Sequence, residues 1–115
     1  MELVFRTEKK VQIVAVRGHI DHAHANAFEA ALAPHLLHCK AAGMPLVLDF
    51  SGVDFISSVG LRVLMLAAKQ AKLQQGKIAM AALTPMVSEV FQVSRFNLVL
   101  QVYGSVDEAI LALAS

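Results

Sequence analysis

The chain has 115 residues, of which 57% are hydrophobic and 17% charged, and its formal net charge is +1. This length predicts one small domain spanning residues 1–115, with a single continuous core. A nearly neutral chain lacks the basic stripe that nucleic acids or anionic membranes require, and no segment reaches the roughly 18 uninterrupted apolar residues of a membrane span. The composition therefore predicts a globular protein that neither binds nucleic acid nor inserts into a membrane.

The cysteine content bears on the cellular compartment. Cys39 is the single cysteine and cannot form an internal disulfide, which favours a reducing cytoplasm over secretion. The first ten residues carry five charged side chains and lack the apolar segment of a signal peptide. We therefore expect a cytoplasmic protein in which Cys39 is a small, partly buried apolar residue without a chemical role.

The first elements in the chain are two short β-rich runs at residues 3–8 and 11–17. Charged residues separate them, and apolar residues alternate along the second run, which predicts an N-terminal β-hairpin. Gly18 then predicts a break that ends the second strand.

Apolar residues recur at helical spacing from about Asp21 to Lys40, with Asp21 as a plausible N-cap. Pro34 falls inside this helix. Because proline removes a backbone donor and clashes with the preceding turn, it predicts a kink or a division of the helix near Ala33.

A nearly continuous apolar run at residues 46–50 is typical of a strand that is covered on both faces, and Ser51 and Gly52 predict a turn after it. The remaining predicted elements alternate between helix and strand and cover residues 58–75, 77–81, 85–93, 98–102 and 106–114. Alternation implies a largely parallel sheet. The predicted fold is a single α/β domain with a mixed, largely parallel four- to five-stranded sheet, an N-terminal β-hairpin and about four helices.

The usual enzymatic signatures are missing. No Gly-rich phosphate loop follows a strand, no Gly-x-Ser-x-Gly elbow is present, and no paired Cys motif offers a metal cage. His35, His38 and Cys39 have helical spacing that could gather metal ligands, but no carboxylate or fourth ligand stands at a fitting spacing. A solvated helix face is the favoured interpretation, and we expect no enzyme activity, cofactor or metal.

Two hydroxyls stand where an apolar strand leads through a polar stretch into the second long helix. Either Ser57 or Ser58 could cap this helix by satisfying its free backbone N–H groups. The same position also favours an added phosphate, because these N–H groups and the helix dipole stabilise negative charge. Arg62 follows Ser58 by four residues, close enough to contact a phosphate on it. A structural cap and a phosphorylation switch both remain open.

These residues belong to a longer run, residues 48–64 (LDFSGVDFISSVGLRVL), that resembles the signature of the bacterial anti-sigma factor antagonists, which are STAS-domain proteins. Two further blocks match the family in the right order. They are Gly18-His-Ile-Asp21 at the entry to the first helix and Pro85-Met-Val-Ser-Glu-Val-Phe91 in a later helix. The resemblance covers nearly the whole chain and implies a cytoplasmic partner-switching protein.

The resemblance also implies partners. In this family the unphosphorylated antagonist binds an anti-sigma factor, usually also a serine kinase of the histidine-kinase-like ATPase fold, and thereby frees a sigma factor or another client. Phosphorylation reverses this binding, and a PP2C-type phosphatase restores the active form. Alignment on Gly60 places the phosphoacceptor at Ser58. Because Ser57 stands where the stricter family pattern has Asp, and Val59 where it has Ser or Thr, Ser57 is an alternative acceptor.

A phosphoserine carries about −1.5 to −2 charges, so a phosphate at Ser58 placed against a close-packed or acidic partner would weaken binding. We expect the contact surface to comprise the loop around Asp21, the loop from Phe55 to Val59 and the exposed side of the following helix. The residues expected there are Asp21, Phe55, Ser57, Ser58, Val59, Gly60, Arg62, Met65 and Lys69. Met65 or Leu66 could instead be core residues, and Asp21 could act only as a cap.

The resemblance leaves a second function open. Related STAS domains also occur in transporters and lipid-trafficking complexes, so the chain could be a non-switching scaffold or a soluble subunit of such a membrane complex. The two functions differ in whether Ser58→Asp abolishes partner binding.

Overall fold

The computed structural model describes residues 1–114, and in this range it contains five strands and four α-helices. In chain order these are β1 (Glu2–Glu8), β2 (Val11–Ile20), α1 (Ala25–His38), β3 (Leu46–Ile56), α2 (Ser58–Leu73), β4 (Ile78–Ala81), α3 (Pro85–Val93), β5 (Gln101–Tyr103) and α4 (Val106–Ala114). Short 3-10 helices occur at His22–His24 and Phe96–Leu98. No helix among these residues has both the length and the apolar character needed to cross a membrane.

The five strands form one sheet in the order β1-β2-β3-β4-β5. β1 and β2 pair antiparallel as a hairpin, with Glu2 opposite Arg17 and Glu8 opposite Val11. The other neighbouring pairs, β2–β3, β3–β4 and β4–β5, are parallel. This arrangement confirms the predicted α/β fold with its mixed, largely parallel sheet.

The sheet separates two apolar cores. On one face, buried residues of α1, α2 and α3 pack on Val14, Leu48 and Met80 of the three central strands. On the other face, α4 alone supplies a smaller core, where Ile110 and its neighbours pack on β2, β3 and β4. Because successive strand residues point to opposite faces, the near-continuous apolar pattern of β3 serves both cores.

Two strands are longer than the sequence predicted. β2 does not end at Gly18 but continues to Ile20, and β3 does not turn at Ser51 and Gly52 but continues to Ile56. Gly18 adopts a φ of +103°, and the β2–β3 register shifts next to it. The prediction of a break was wrong because glycine here accommodates an irregularity within a paired strand.

Helix α1 also differs from the prediction. It begins at Ala25, after the 3-10 helix, and it continues through Pro34 to His38 without being divided. Buried Leu32 and Leu36 hold the helix on the sheet on both sides of the proline. Ala30 and Pro34 are exposed, so the carbonyl that loses its intrahelical donor lies on the solvated side, where water can satisfy it.

The last strand is shorter and later than predicted. Residues 98–100 are not part of it, and Phe96–Leu98 forms a 3-10 helix after a left-handed residue, Arg95, with a φ of 59°. The Phe96 ring packs 5.2 Å from that of Phe91. This aromatic contact holds the 3-10 helix against the core before β5 begins at Gln101.

Candidate functional site

The carboxyl ends of β2 and β3 meet at one edge of the sheet and carry the candidate residues. Ile20 and Ile56 are paired in the last register position of the two strands, and the Ser57 backbone N–H donates to the Ile20 carbonyl at 2.8 Å. Asp21 follows one strand and Ser57 the other. The topology thereby brings two segments that lie far apart in sequence into one place.

Ser57 is the N-cap of α2. Its Oγ accepts a hydrogen bond from the Gly60 backbone N–H at 3.1 Å, and its carbonyl accepts one from the Leu61 N–H at 2.9 Å. Its backbone is extended, as is usual for a cap residue. This geometry settles which of the two serines caps the helix: the hydroxyl of Ser57 is engaged in holding the first turn.

Ser58 is the first residue of α2 and is exposed. Within residues 1–114, no side chain or backbone group forms a hydrogen bond with its hydroxyl. The hydroxyl therefore stands free at the positive end of a 16-residue helix. The neighbouring Val59 is half-buried and packs against the larger core.

Gly60 anchors this helix to the strands beneath it. It is buried, and a Cβ at its position would lie 2.8 Å from Ile20 Cγ2 and 2.8 Å from Ile56 Cγ1. Gly60 therefore contributes to the expected surface through close packing and offers no exposed side of its own.

The exposed side of α2 forms a single stripe. Its residues recur at helical spacing and continue to Lys72 and Leu73 at the end of the helix. We call the part nearest the helix start the α2 face: Ser58, Arg62, Met65, Leu66 and Lys69. Met65 and Leu66 are 47% and 44% exposed, so neither is a core residue. The opposite side of the helix supplies the buried core positions. The α2 face thus combines two large exposed apolar side chains with two basic ones.

Phe55 is exposed near the carboxyl end of β3, one residue before the buried Ile56. It is 43% exposed, and it lies in β3, where the sequence had predicted a loop from Phe55 to Val59. There is no such loop, because β3 passes directly into α2 through Ser57. A strand-to-helix junction of this kind fixes Phe55 relative to the α2 face more firmly than a loop would.

Asp21 has a defined role at the same edge. Its Oδ1 accepts from the His24 backbone N–H at 3.0 Å and lies 2.6 Å from His24 Nδ1. Asp21 therefore caps the 3-10 helix rather than α1 itself. The hydrogen bond with the His24 side chain lowers the pKa of Asp21 below its ordinary value of 3.8.

Two histidines lie at this edge of the sheet that were not predicted to be there. His24 packs with Asp21, and His19 Nδ1 lies 2.6 Å from Asp54 Oδ1 between the exposed ends of β2 and β3. The spacing of Asp21 and His24, three residues apart, could have identified the first pair. Only the parallel register, which pairs His19 with Phe55, reveals the second.

The other histidines and the cysteine lie elsewhere. Cys39 is buried and its Sγ donates to the Lys77 carbonyl at 3.2 Å, while the His35 ring nitrogen Nδ1 lies 3.3 Å from Oε1 of buried Gln12. Across residues 1–114, no three His, Cys, Asp or Glu side chains are grouped so as to hold a metal ion.

Known proteins resemble this chain along most of its length. A family model described as "Mlab, STAS domain" matches residues 3–103. BtrV of Bordetella bronchiseptica, described as a candidate anti-sigma factor antagonist, is 37% identical over 100 residues, which are 87% of this chain and 84% of that protein.

Solved structures share the fold. The crystal structure of an anti-sigma factor antagonist from Mycobacterium paratuberculosis superposes with a TM-score of 0.88 at 24% identity, covering 99% of this chain and 94% of that one. The phosphorylated form of the Bacillus cell fate determinant SpoIIAA superposes with a TM-score of 0.70 at 16% identity, covering 96% and 98%. Taken with the family model and the 37% identical relative, these findings show that the chain belongs to the STAS-domain family of anti-sigma factor antagonists.

Proposed function

We propose that the chain acts by partner switching, with Ser58 as its phosphoacceptor. The unphosphorylated form binds an anti-sigma factor that is also a serine kinase of the histidine-kinase-like ATPase fold, and thereby frees a sigma factor or another client. Phosphorylation of Ser58 releases the partner, and a PP2C-type phosphatase reverses the modification. The protein is a regulatory binding protein of the cytoplasm with no catalytic role of its own.

One observation supports Ser58 over Ser57. The Ser57 hydroxyl caps α2, whereas the Ser58 hydroxyl is exposed and unbonded. A kinase can reach Ser58 without opening the helix, while modification of Ser57 would remove a cap that contributes about 1 kcal/mol. The helix N-terminus also stabilises the phosphate once it is attached.

The composition of the α2 face explains how a phosphate would release a partner. Arg62 and Lys69 flank the exposed Met65 and Leu66, so the complementary partner surface is apolar with acidic groups at its edge. A phosphate of about −1.5 to −2 charges on Ser58 pairs with Arg62, four residues along the helix, and repels acidic groups of the partner. Each tenfold loss of affinity requires only about 1.4 kcal/mol, so a change of surface charge is sufficient and the domain need not refold.

Phe55, Asp21, Ser57 and Val59 complete the proposed contact surface. Phe55 adds an exposed ring at the carboxyl end of β3, while Asp21 and Ser57 shape the edge through their capping hydrogen bonds. Val59 is half-buried and contributes its remaining exposed area.

The experiment is an affinity purification from the native cell lysate with three baits: wild type, Ser58→Asp and the control Ser105→Asp. Ser105 accepts a hydrogen bond from Glu108 N and caps α4 on the other face of the sheet, so its substitution adds the same charge at a helix start away from the α2 face. Wild type and Ser105→Asp should recover an ATPase-fold kinase, and Ser58→Asp should not. Equal recovery by all three baits contradicts the switch.

The acceptor itself is tested with the recovered kinase and ATP. Wild type and Ser57→Ala should gain one phosphate each by mass spectrometry, whereas Ser58→Ala should gain none. Phosphate on Ser58→Ala but not on Ser57→Ala would assign the acceptor to Ser57.

A second candidate function follows from membership of the STAS-domain family, because related STAS domains also occur in transporters and lipid-trafficking complexes. In that case the chain is a non-switching scaffold or a soluble subunit of a membrane transport or lipid-trafficking complex. The same purification separates the two functions, because a membrane-complex partner recovered equally by wild type and Ser58→Asp supports the scaffold.

A further inference from the structure

The edge strand β1 is largely exposed to solvent. Six of its seven residues are exposed, among them Val4 at 53% and Phe5 at 67%, and only Leu3 is half-buried. β1 uses one edge to pair with β2 over its full length, and its other edge borders the sheet. Such an edge presents unpaired backbone N–H and C=O groups, which other strands can bind.

We propose that β1 binds β1 of a second copy of this chain, antiparallel, about a two-fold axis that passes through Val4. This pairing joins two five-stranded sheets into one continuous sheet of ten strands. The β1–β2 pairing stays intact within each copy. The Arg6 side chain, whose Nε lies 3.0 Å from Glu8 Oε1 in the single copy, exchanges this exposed partner for Glu2 of the second copy.

The strand sequence is self-complementary in this register. Glu2 lies opposite Arg6 of the second copy, and by symmetry this pair of opposite charges occurs twice. Leu3 lies opposite Phe5, also twice, and Val4 lies opposite itself. Residues directly opposite in an antiparallel pair share a face of the sheet, so the charges meet on one face and Leu3 and Phe5 on the other.

Neighbouring registers lack this match. Residues that lie directly opposite each other must be on the same face of the sheet, so the two-fold axis has to pass through a residue and not between two. Each alternative register therefore moves the axis to another residue of β1. An axis through Phe5 places Glu2 opposite Glu8 and Val4 opposite Arg6, and an axis through Arg6 places two arginines opposite each other. An axis through Leu3 leaves Arg6 without an opposite residue. Like charges directly opposite destabilise a strand pair, so the Val4 register is favoured.

The surroundings of β1 provide apolar area for the second copy. A groove of about 680 Å³ lies between β1 and α1 and is lined in part by Leu3, Phe5, Pro34 and His35. The Phe5 ring packs 4.8 Å from the His35 ring along its wall. In the proposed register Phe5 of the second copy lies opposite Leu3 and covers the open side of this groove. Removal of exposed aromatic and aliphatic area from water drives the association.

The first test measures the mass of the full chain in solution by light scattering and sedimentation over a dilution series. Wild type should form a dimer at high concentration. Glu2→Arg and Arg6→Glu should each raise the dimer dissociation constant by roughly tenfold, because each places two like-charged pairs across the axis. The double variant, with both changes, should restore wild-type association.

The double variant also separates contacts between copies from those within one chain. Glu2→Arg places two basic residues opposite each other across β1 and β2, since Glu2 pairs with Arg17. That change is present in the double variant as well, so restored association can come only from the pair between copies. A wild-type chain that stays monomeric at its highest soluble concentration, or a double variant no better than the single ones, overturns the proposal.

A crosslink tests the register directly. In Val4→Cys the two new thiols lie opposite each other, where Cβ atoms of paired residues are about 4.5–5.5 Å apart and a disulfide can close with a small adjustment. The native Cys39 is buried and does not compete. Oxidation should crosslink Val4→Cys rapidly and the control Glu8→Cys slowly. Equal crosslinking of the two variants contradicts the register. None of these changes touches Ser58 or the α2 face, so the partner switch and the dimer succeed or fail independently.

Discussion

The tight fit of Gly60 under the first turn of α2 gives a prediction whose magnitude follows from the structure. In Gly60→Ala the new Cβ would lie 2.8 Å from Ile20 Cγ2 and Ile56 Cγ1 and 3.2 Å from the Ile20 carbonyl oxygen. Both isoleucines are buried and β-branched, so they cannot swing aside. Overpacking of this kind costs roughly 1–3 kcal/mol, against a gain in helix propensity of at most about 1 kcal/mol.

We therefore expect Gly60→Ala to lower the free energy of unfolding by about 1–2 kcal/mol, which lowers Tm by about 4–8 °C in a domain of this size. Chemical denaturation and calorimetry measure both quantities. The control is Gly104→Ala, where the nearest atom to the new Cβ is a Glu108 carboxylate oxygen at 3.4 Å, and its effect should stay within about 0.5 kcal/mol. If Gly60→Ala is as stable as wild type, the close packing of α2 on the ends of β2 and β3 is not rigid, and the reasoning fails.

Three further predictions concern the caps and the titratable groups. Ser57→Ala should lower the free energy of unfolding by about 1 kcal/mol through loss of the α2 cap, and Ser58→Ala should change it by less than about 0.5 kcal/mol in the same denaturation assay. The pKa of Asp21 is lowered in the folded state, so its carboxylate stabilises the fold above pH 3.8 and loses this contribution as pH falls through the folded-state pKa. An NMR titration of the carboxyl carbon should show a midpoint below 3.8, and this midpoint should rise in His24→Ala. Burial lowers the pKa of His35 below 6.5, so the folded state binds its proton less readily than the unfolded chain and stability falls as pH drops below 6.5; an imidazole NMR titration with a midpoint at or above 6.5 would contradict this.

The fold class followed from local patterns. Alternation of strands and helices after a hairpin predicts a largely parallel sheet, and helix starts at Ser58 and Pro85 were predicted at the residues where the structure has them. Predictions from local sequence were wrong where contacts with residues far away in the chain stabilised a different structure. Gly18, Gly52 and Pro34 are usually breakers, yet each lies inside an element because a neighbouring strand pairs with it or a buried helix face packs across it.

For the candidate site, too, the sequence predicted the position and the structure decided the details. The sequence placed Ser57 and Ser58 at the helix start, but either one satisfied the capping pattern. Hydrogen-bond geometry distinguished them, because only the three-dimensional path of the chain directs the Ser57 hydroxyl to Gly60 N. Exposure likewise required the packed structure: helical spacing alone could not decide whether Met65 and Leu66 face the core or the solvent.

By itself, the amino-acid sequence determined the element types, the fold class and the segment that carries the candidate site, since these depend on periodicity, caps and motifs within a few neighbouring residues. Only the tertiary structure decided which hydroxyl is free, which side of α2 is exposed and that β1 is an open edge. Those properties depend on contacts between residues far apart in the chain, such as the Ser57 to Ile20 hydrogen bond and the pairing of β1 with β2 alone. No local pattern encodes such contacts, because they exist only once the sheet has formed.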